Sequence, residues 1–553
     1  MSRVVVPTPV PKPTLSYWLK AFPEATKPVA PRTAPSQQNG SQPRPSLPPA
    51  ADVVIIGGGI AGVSTAYHLR KARPDLQVVL MEARQLSHGA TGRNGGLLWP
   101  ALNAPWVKTA ERYGTSETSR MMAFELQCLS EVTDFIRGQR LEGEVRYAPF
   151  GDGGFYLYEG QGEMEAEMQE LATMQRFGIH TDVEPLSRRQ VSALLGTDAY
   201  AGAVRQPGVA RVWAARLVHA IARMAAAAGP AEGLVVAENT RVAAVMPLPC
   251  SAELPPGLGL GLGRGLALHP PEGHNHNNYN GHNGYNGHNG YNGHNGNGHV
   301  ATAAANNILP LWSGAAQGGP PGSEMLDAAA TPLLQVVTEL GDTVLARRVV
   351  HCTNAYGSSL LPELRTALVP VRNHVAATRP PAAGGVAFPL DSAFFARGGY
   401  VYWSRREDGR LVVGGFRDVV PDLEWGVYDD ASLDERVRQR LHSYLPERFP
   451  DLFEASGGVL YPEVEWSGIL GFTQDRFPFV GPVPGRRGQF VAAGFSGHGM
   501  TRTFTCGRVL ADMVAGQPID PGFPRTWLPA TGRFGPAMPT VPGPEAAAGA
   551  VYL

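Results

Sequence analysis

The segment ADVVIIGGGIAGVSTAYHLRK, residues 51–71, leaves a chain few ways to fold. Val53–Ile56 is an unbroken β-branched run, the pattern of a strand covered on both faces. Val63, Ala66 and Leu69 then recur at three-residue spacing and predict the apolar face of a helix. Between strand and helix, Gly57, Gly59 and Gly62 form G-x-G-x-x-G, with Ile60 and Ala61 opening the helix. The first glycine permits a tight turn, the second lets backbone approach a pyrophosphate, and the third lets helix and strand pack closely. The helix N-terminus then presents about +0.5 of a charge to the phosphates. A second strand, VVLMEA, ends in Glu82 and Ala83, and Glu82 stands twenty residues beyond Gly62, placed to accept hydrogen bonds from a ribose 2′-hydroxyl. Strand, glycines, helix and terminal acid together predict a dinucleotide site. The acid argues against a 2′-phosphate.

A second glycine cluster, GATGRNGG, follows at residues 89–96. A nicotinamide enzyme has no particular need of it. FAD is longer, and its flat ring has to lie on backbone with few side chains in the way. Gly89, Gly92, Gly95 and Gly96 offer that approach, with Ala90 beside them a candidate to line the cofactor. Thr91, Asn94 and neighbouring amides are candidates to hydrogen-bond phosphate or ring edges, and Arg93 to add charge. A solvated turn, the bland alternative, would carry more serine, aspartate or proline and no internal arginine.

At 553 residues the chain predicts two or three domains, and 47 basic against 48 acidic residues give no sign of a nucleic-acid partner. No apolar run approaches the ~20 residues of a membrane span. Four scattered cysteines, with no C-x-x-C, read as reduced thiols of an intracellular, most simply cytoplasmic, protein with no metal site. Residues 1–50 are rich in proline and basic side chains. They predict an extended arm, with organelle targeting the alternative.

Two helical stretches follow the second glycine cluster, carrying Met122, Leu126, Leu129, Val132 and Ile136, then Met164, Met168, Leu171 and Met174. A third, AARLVHAIARMAAAA, stops at Gly229-Pro230. From 249 to 332 the chain turns polar and glycine-rich, with His276, His282, His288 and His294 repeating every six residues. Such a tract cannot bury enough apolar surface to offset its ordering entropy, and predicts a disordered insertion. A metal-binding array is the sharper alternative. Residues 390–420 predict a β-meander turning at Asp408-Gly409. The last ordered unit is a strand, FVAAG, a loop, FSGHGM, and a helix ending near Gly516, before a disordered tail at 531–553.

Together, GGGIAGVSTAYHL, MEA and GATGRNGG resemble the FAD-dependent oxidoreductases of the D-amino-acid oxidase superfamily. That group includes glycine, sarcosine and γ-glutamylputrescine oxidases. CTNAYG (352–357), GRLVVGG (409–415), WSGILGFTQDRFPFVGP and AGFSGHGM agree, and LSYWL (15–19) resembles an arm found in the γ-glutamylputrescine-oxidase-like branch. The resemblance implies an α/β chain, α+β overall. A Rossmann-like FAD-binding domain with a parallel sheet (51–145, 234–248, 333–360 and 468–530) is interleaved with a substrate domain on a mixed or antiparallel sheet (146–233 and 361–467). It places Val242, Thr353 and Asn354 around the adenosine half. It sets Gly494, Phe495, Ser496, Gly497, His498, Gly499 and Met500 at the pyrimidine side of the flavin, where a helix N-terminus would stabilise negative charge. For His498 itself, a satisfied structural histidine is the alternative.

Departures from the family pattern matter too. Ile469 and Arg93 stand where relatives attach flavin through cysteine or histidine, which implies non-covalent FAD. Thr501 and approximately Val412 replace lysines that serve substrate carboxylate and oxygen in sarcosine oxidase. The implied chemistry is oxidation of a carbon–nitrogen bond of a small amine, with hydride passing to flavin N5 and molecular oxygen as acceptor. A dehydrogenase serving a quinone or carrier, and a flavin-fold binding module, are the alternatives. Trp99, Tyr400, Tyr402 and Trp403 are candidate aromatic walls or ordinary core. Arg406 aligns with a carboxylate-binding arginine, or is a charged hairpin tip. His374, with Arg372 and Arg502, is the fallback.

Overall fold

The structure, a computed structural model, describes residues 7–22, 46–248 apart from 103 and 180, 333–529, and 533. The histidine tract and all of the tail but Arg533 lie outside the described residues. The first β-strand, Ala50–Ile56, buries Val53 to Ile56 and forms the middle of a parallel array. Val78–Met81 and Leu234–Ala237 lie to one side of it, and Thr343–His351 and Gln489–Ala493 to the other, all parallel. Parallel strands require crossovers, so helices cover the sheet. The helix Ile60–Ala72 buries Val63, Ala66 and Leu69, as their spacing predicts, and packs on Ala214–Ala227 and Gly499–Val514. The helix Gly499–Val514 comes close to the helix Ile60–Ala72 at Gly507, where a Cβ would stand 2.6 Å from that of Ser64.

Thr343–His351 changes partners along its length. Its second half pairs in parallel with Gln489–Ala493. Its first half pairs antiparallel with Leu334–Thr338, which in turn pairs antiparallel with Val242–Pro247. Pro247 stands opposite Leu334, and Leu248 N–H donates to the Leu333 carbonyl at 2.8 Å. Residues 249–332 are therefore the connection of a β-hairpin.

The second sheet has eight strands, in the order Pro462–Thr473, Leu368–Thr378, Leu411–Gly415, Val401–Arg405, Ala393–Ala396, Gly154–Tyr158, Gly202–Gln206 and Glu184–Ser187. Only Ala393–Ala396 with Gly154–Tyr158 is parallel. The expected meander is its centre, turning at Gly409 (φ +82°). The helix Glu435–Arg448 lays Val437, Leu441 and Tyr444 over Trp403, Leu411 and Val413. The α/β class with a mixed second sheet is as expected. Residues 468–473, however, belong to the second sheet: the strand Pro462–Thr473 is one uninterrupted run beside Leu368–Thr378.

The helix Thr115–Gly138 buries Met122, Val132 and Ile136 but leaves Leu126 about half exposed (49%), and Gln161–Arg176 likewise exposes Met168 while burying Met174. No helix among the described residues is long and apolar enough to cross a membrane. Cys128, Cys352 and Cys506 are buried free thiols, and no group of His, Cys, Asp or Glu among the described residues is arranged to hold a metal.

The arm is not extended throughout. Ser16 caps a one-turn helix, Tyr17–Lys20, through its hydroxyl, which accepts from Leu19 N–H. Trp18 is fully buried, edge-on to Trp213 with ring centroids 5.5 Å apart. A proline-rich composition conceals one aromatic turn that has a core to enter.

The hairpin register predicts that residues 249–332 are dispensable. Replacing them by Asn-Gly, which suits a two-residue hairpin, should give soluble protein with unchanged flavin content and thermal midpoint. A midpoint lowered by ~5 °C or more would show that the segment supports the fold.

Candidate active site

Two adjoining cavities lie between the sheets, and most residues predicted from sequence line them. Gly57 leaves the first strand at φ +112°, its N–H donating to Met81 carbonyl at 2.8 Å, and a Cβ there would stand 2.4 Å from the Cys352 carbonyl oxygen. Only glycine fits. Gly62 meets the Gly57 oxygen in the same way, at 1.9 Å, so it serves packing and does not line the cleft. Gly59 differs. Its φ of −82° is ordinary, and a Cβ would meet only the Thr91 hydroxyl, at 3.1 Å. Its lack of a side chain keeps space clear rather than relieving strain.

Glu82 ends the second strand with both carboxylate oxygens anchored, accepting from Gly58 N–H at 2.7 Å and from Arg84 N–H at 2.9 Å. Each oxygen retains lone pairs toward the first cavity, which Glu82 and Ala83 line. The same cleft is walled by Gly59 to Ala61, by Gly89, Ala90, Thr91 and Asn94, and by Val242, Thr353 and Asn354. Its far wall is Phe495 to Gly497 with Gly499 and Met500. Thr91 Oγ1 accepts from Ile60 N–H at 3.3 Å, tying the second glycine loop to the helix N-terminus. Asn354 Oδ1 accepts from Gly494 N–H at 3.0 Å, which makes Asn354 a staple between two loops.

A long dinucleotide fits this cleft. It pairs a glycine cradle and two helix N-termini with the anchored carboxylate of Glu82. Two buried hydroxyls at its edge, Thr353 Oγ1 and Tyr356 Oη, have no hydrogen-bond partner among the described residues. Tyr356, within CTNAYG, also lines the wall, as do Arg84, Thr240 and Leu360, which carried no sequence signal because they follow strands in loops of ordinary composition.

The second cavity shares Ala90, Asn94, Ile469, Ser496 and Met500 with the first. Its own wall is aromatic: Trp99, Phe395, Tyr402 and Phe472. Gly95, Asn373, His498 and Thr501 complete one side, and Arg93 and Arg417 add two guanidinium groups. Tyr402 is wedged against Gly95, where a Cβ would lie 2.7 Å from its ring, and its hydroxyl accepts from Asn373 Nδ2 at 3.2 Å. Burial raises the Tyr402 phenol well above its ordinary range, with Asn373 pulling the other way. It is a hydrogen-bond donor and not a base. His498 is the N-cap of the helix Gly499–Val514. Trp403 is core, stacked on Phe394 at 4.9 Å, so the aromatic candidates divide between wall and core.

Several candidates are held elsewhere. Arg406 lines neither cavity. It is 1% exposed, lies 4.9 Å over the Trp18 ring and donates to the Gly96 carbonyl at 3.3 Å, as a prop beneath the glycine loop. It is neither a substrate anchor nor a solvated tip, because the arm covers it. His374 is fully buried on its strand, accepting Asp434 N–H through Nε2 at 2.8 Å. Burial and Arg372 push it down to about 4, against Asp434, so it is neutral. Arg372 pairs with Glu424, and Arg502 with Glu125. Arg93 touches the second cavity, but its guanidinium donates to His88 and Ser467 carbonyls and to Thr14 Oγ1, and lies 3.4 Å from Asp430. Its charge serves the loop rather than a phosphate. Gly96 (φ +70°) sits under Trp18, and Gly494 (φ +79°) against Thr473.

Because Gly59 has room for a side chain, Gly59→Val should fold with an unchanged far-ultraviolet spectrum and purify without flavin. Full flavin occupancy in the variant would remove the turn from the cofactor site.

Comparison with known proteins bears on this geometry. The family model "FAD dependent oxidoreductase" (DAO) matches residues 52–247 and 323–513. Among curated proteins, "Probable oxidoreductase OrdL" of Rhizobium meliloti is 22% identical over 472 residues, 84% of this chain and 83% of its own. "Gamma-glutamylputrescine oxidoreductase" of Escherichia coli is 29% identical over 155 residues, 28% of this chain and 34% of its own. Among solved structures, glycine oxidase from Geobacillus kaustophilus aligns with TM-score 0.56 at 19% identity, covering 87% of this chain and 99% of its own. With both glycine loops, Glu82 and the turn from Phe495 to Met500 facing one cleft, and the family match spanning both sheets, the chain belongs to the DAO family of FAD-dependent oxidoreductases.

Proposed function

We propose that this enzyme oxidises a carbon–nitrogen bond of a small amine or amino-acid-like substrate held in the second cavity. The observation that carries the reading is the wall common to both cavities: Ala90, Asn94, Ile469, Ser496 and Met500 border each of them. In this reading the first sheet and its helices bind FAD, and the second sheet shapes the substrate site. FAD supplies a hydride acceptor at N5.

The protein's part is to bind the amine neutral, since only the free base expels hydride. An alkylamine with a pKa near 10.4 lies about three units above neutrality, a cost of roughly 4–5 kcal/mol. Aromatic walls lower that cost by desolvating the ammonium, and the guanidinium group of Arg417 lowers it by repulsion. No carboxylate among the described residues lines the second cavity to oppose them. Tyr402 hydroxyl, with Asn373 donating to it, keeps its own proton to offer a substrate lone pair. Ser496, Gly497 and the N-terminus of the helix Gly499–Val514 present N–H groups and a positive helix end to both cavities, which favours negative charge developing at the shared wall.

Molecular oxygen is the acceptor in this reading. A quinone or carrier protein is the second reading, supported by the absence of lysine from both cavity walls among the described residues. Attachment of FAD is non-covalent, since Ile469 and Arg93 offer no nucleophile.

Anaerobic addition of secondary amines, polyamines and amino acids should bleach the flavin with at least one of them. The apparent second-order rate should rise about tenfold per pH unit below the amine's pKa, as the free base grows, and flavin should stay in solution after acid precipitation. No bleaching with any amine would favour a binding module. Bleaching that persists in air and is reversed by an added quinone favours the carrier.

A further inference from the structure

Trp99 is fastened more firmly than packing alone requires. It is 4% exposed and lines the second cavity. Its backbone N–H donates to Thr501 Oγ1 at 3.0 Å, and its indole Nε1 to Gln206 Oε1 at 2.9 Å. Gln206 is fully buried and donates through Nε2 to the Pro100 carbonyl at 3.0 Å, so one side-chain amide clamps two consecutive residues. The indoles of Trp18, Trp106, Trp213 and Trp466 donate to backbone carbonyls. Those of Trp403 and Trp527 have no hydrogen-bond partner among the described residues. Of these seven, Trp99 alone has a buried side-chain amide committed to it.

The second sheet is cut to receive its ring. Gly154 opens the strand Gly154–Tyr158, and its backbone has no positive φ that would call for glycine. A Cβ there would stand 2.6 Å from Trp99 Cη2 and 2.7 Å from Cζ2. Glycine weakens a strand, and here its reason is space for the indole. Phe395, with ring centroids 4.5 Å apart, and Tyr156, edge-on at 5.0 Å, complete the seat.

What lies behind the ring gives the fastening a purpose. Trp99 faces the second cavity, but the next residue, Pro100, borders a separate groove together with Leu102, Met122, Leu126 and Ile179. Pro207, next after Gln206, borders the same groove. The hydrogen-bonded pair of Trp99 and Gln206 therefore stands between cavity and groove as a partition one residue thick. The groove is mainly apolar and reaches solvent at Leu126.

We propose that Trp99 is the end wall of the substrate site, so that the enzyme takes amines whose carbon chain is short enough to stop at the indole and rejects longer ones. This rests on the amine-oxidation reading above and names the substrate class within it. A ring held through its backbone, its indole nitrogen and its seat on Gly154 does not yield to a longer chain, which makes the limit sharp. Trp99 is thus a specificity-determining residue.

The test uses flavin-loaded enzyme and straight-chain amides from acetamide to octanamide, which carry no oxidisable amine, read by perturbation of the flavin absorbance. In wild type each methylene that enters the cavity should tighten binding about three- to fourfold. Beyond one chain length, binding should weaken at least about fivefold. Trp99→Ala should move that limit by about two methylenes or more at unchanged flavin content, and Trp99→Phe by a smaller step. Phe472→Ala, at another wall of the same cavity, should leave the limit in place. A wild-type series without a limit overturns the proposal with no variant needed. A limit that stays put in both Trp99 variants, or moves as far in Phe472→Ala, does so as well. Anaerobic reduction by N-methylalkylamines from ethyl to octyl separates the two levels. Reduction of wild type at equal rates along that series leaves amine oxidation standing and refutes the end wall. A chain-length limit in binding, without reduction by any amine, keeps the end wall and refutes the reaction.

Discussion

Asp430 holds this site together. Its carboxylate, 1% exposed, accepts from Arg84 at 2.9 and 3.2 Å and faces Arg93 at 3.4 Å. Arg84 follows the strand that ends in Glu82, and its own N–H donates to the Glu82 carboxylate. Arg93 lies in the second glycine loop. The Asp430 carbonyl meanwhile accepts from both the N–H and the hydroxyl of Thr14 in the arm, at 2.7 and 2.9 Å. Three segments distant in sequence, the arm at Thr14, residues 84–93 and the loop of Asp430, thus meet at one residue. Three buried charges of this kind survive only when mutually satisfied, because removing one partner leaves the others desolvated and unpaired, at about 3–5 kcal/mol.

What that knot stabilises is a loop with little shape of its own. Gly89–Gly96 is poor in side chains because both cavities need its backbone. It is held from outside: Ser16 hydroxyl donates to Gly92 carbonyl at 2.6 Å, Trp18 Nε1 to Asn94 at 2.6 Å, and Trp466 Nε1 to Arg93 at 2.9 Å. Gly96 is glycine because Trp18 fills the space a Cβ would need, 2.7 Å away. The arm therefore works as a buttress for cofactor and substrate walls alike.

The cofactor half was legible in the sequence because its constraints are local. A tight turn, a close helix and a strand-end acid occupy fixed offsets along the chain, and Gly57, Gly62 and Glu82 fall where those offsets require. The substrate half depends on sheet register and on which charges find partners across the fold. Arg406, His374 and Arg417 look alike as single letters, yet the first supports a loop, the second accepts a backbone N–H, and the third alone faces a cavity without an acid. In the arm, proline and basic residues outweighed YWL, although burial of two aromatics decides the outcome. The expected boundary at 468 failed similarly, since a strand continues wherever its neighbour does.

One buried carboxylate, Asp430, shapes the loop that walls both cavities. The dissociation constant of FAD from Asp430→Asn, measured on reconstituted apoprotein, tests it most directly. The substitution nearly preserves the shape but not the charge, so FAD should bind at least about 30-fold more weakly, corresponding to a loss of ~2 kcal/mol, while both sheets stay folded by circular dichroism. Wild-type affinity for FAD in that variant would contradict the account.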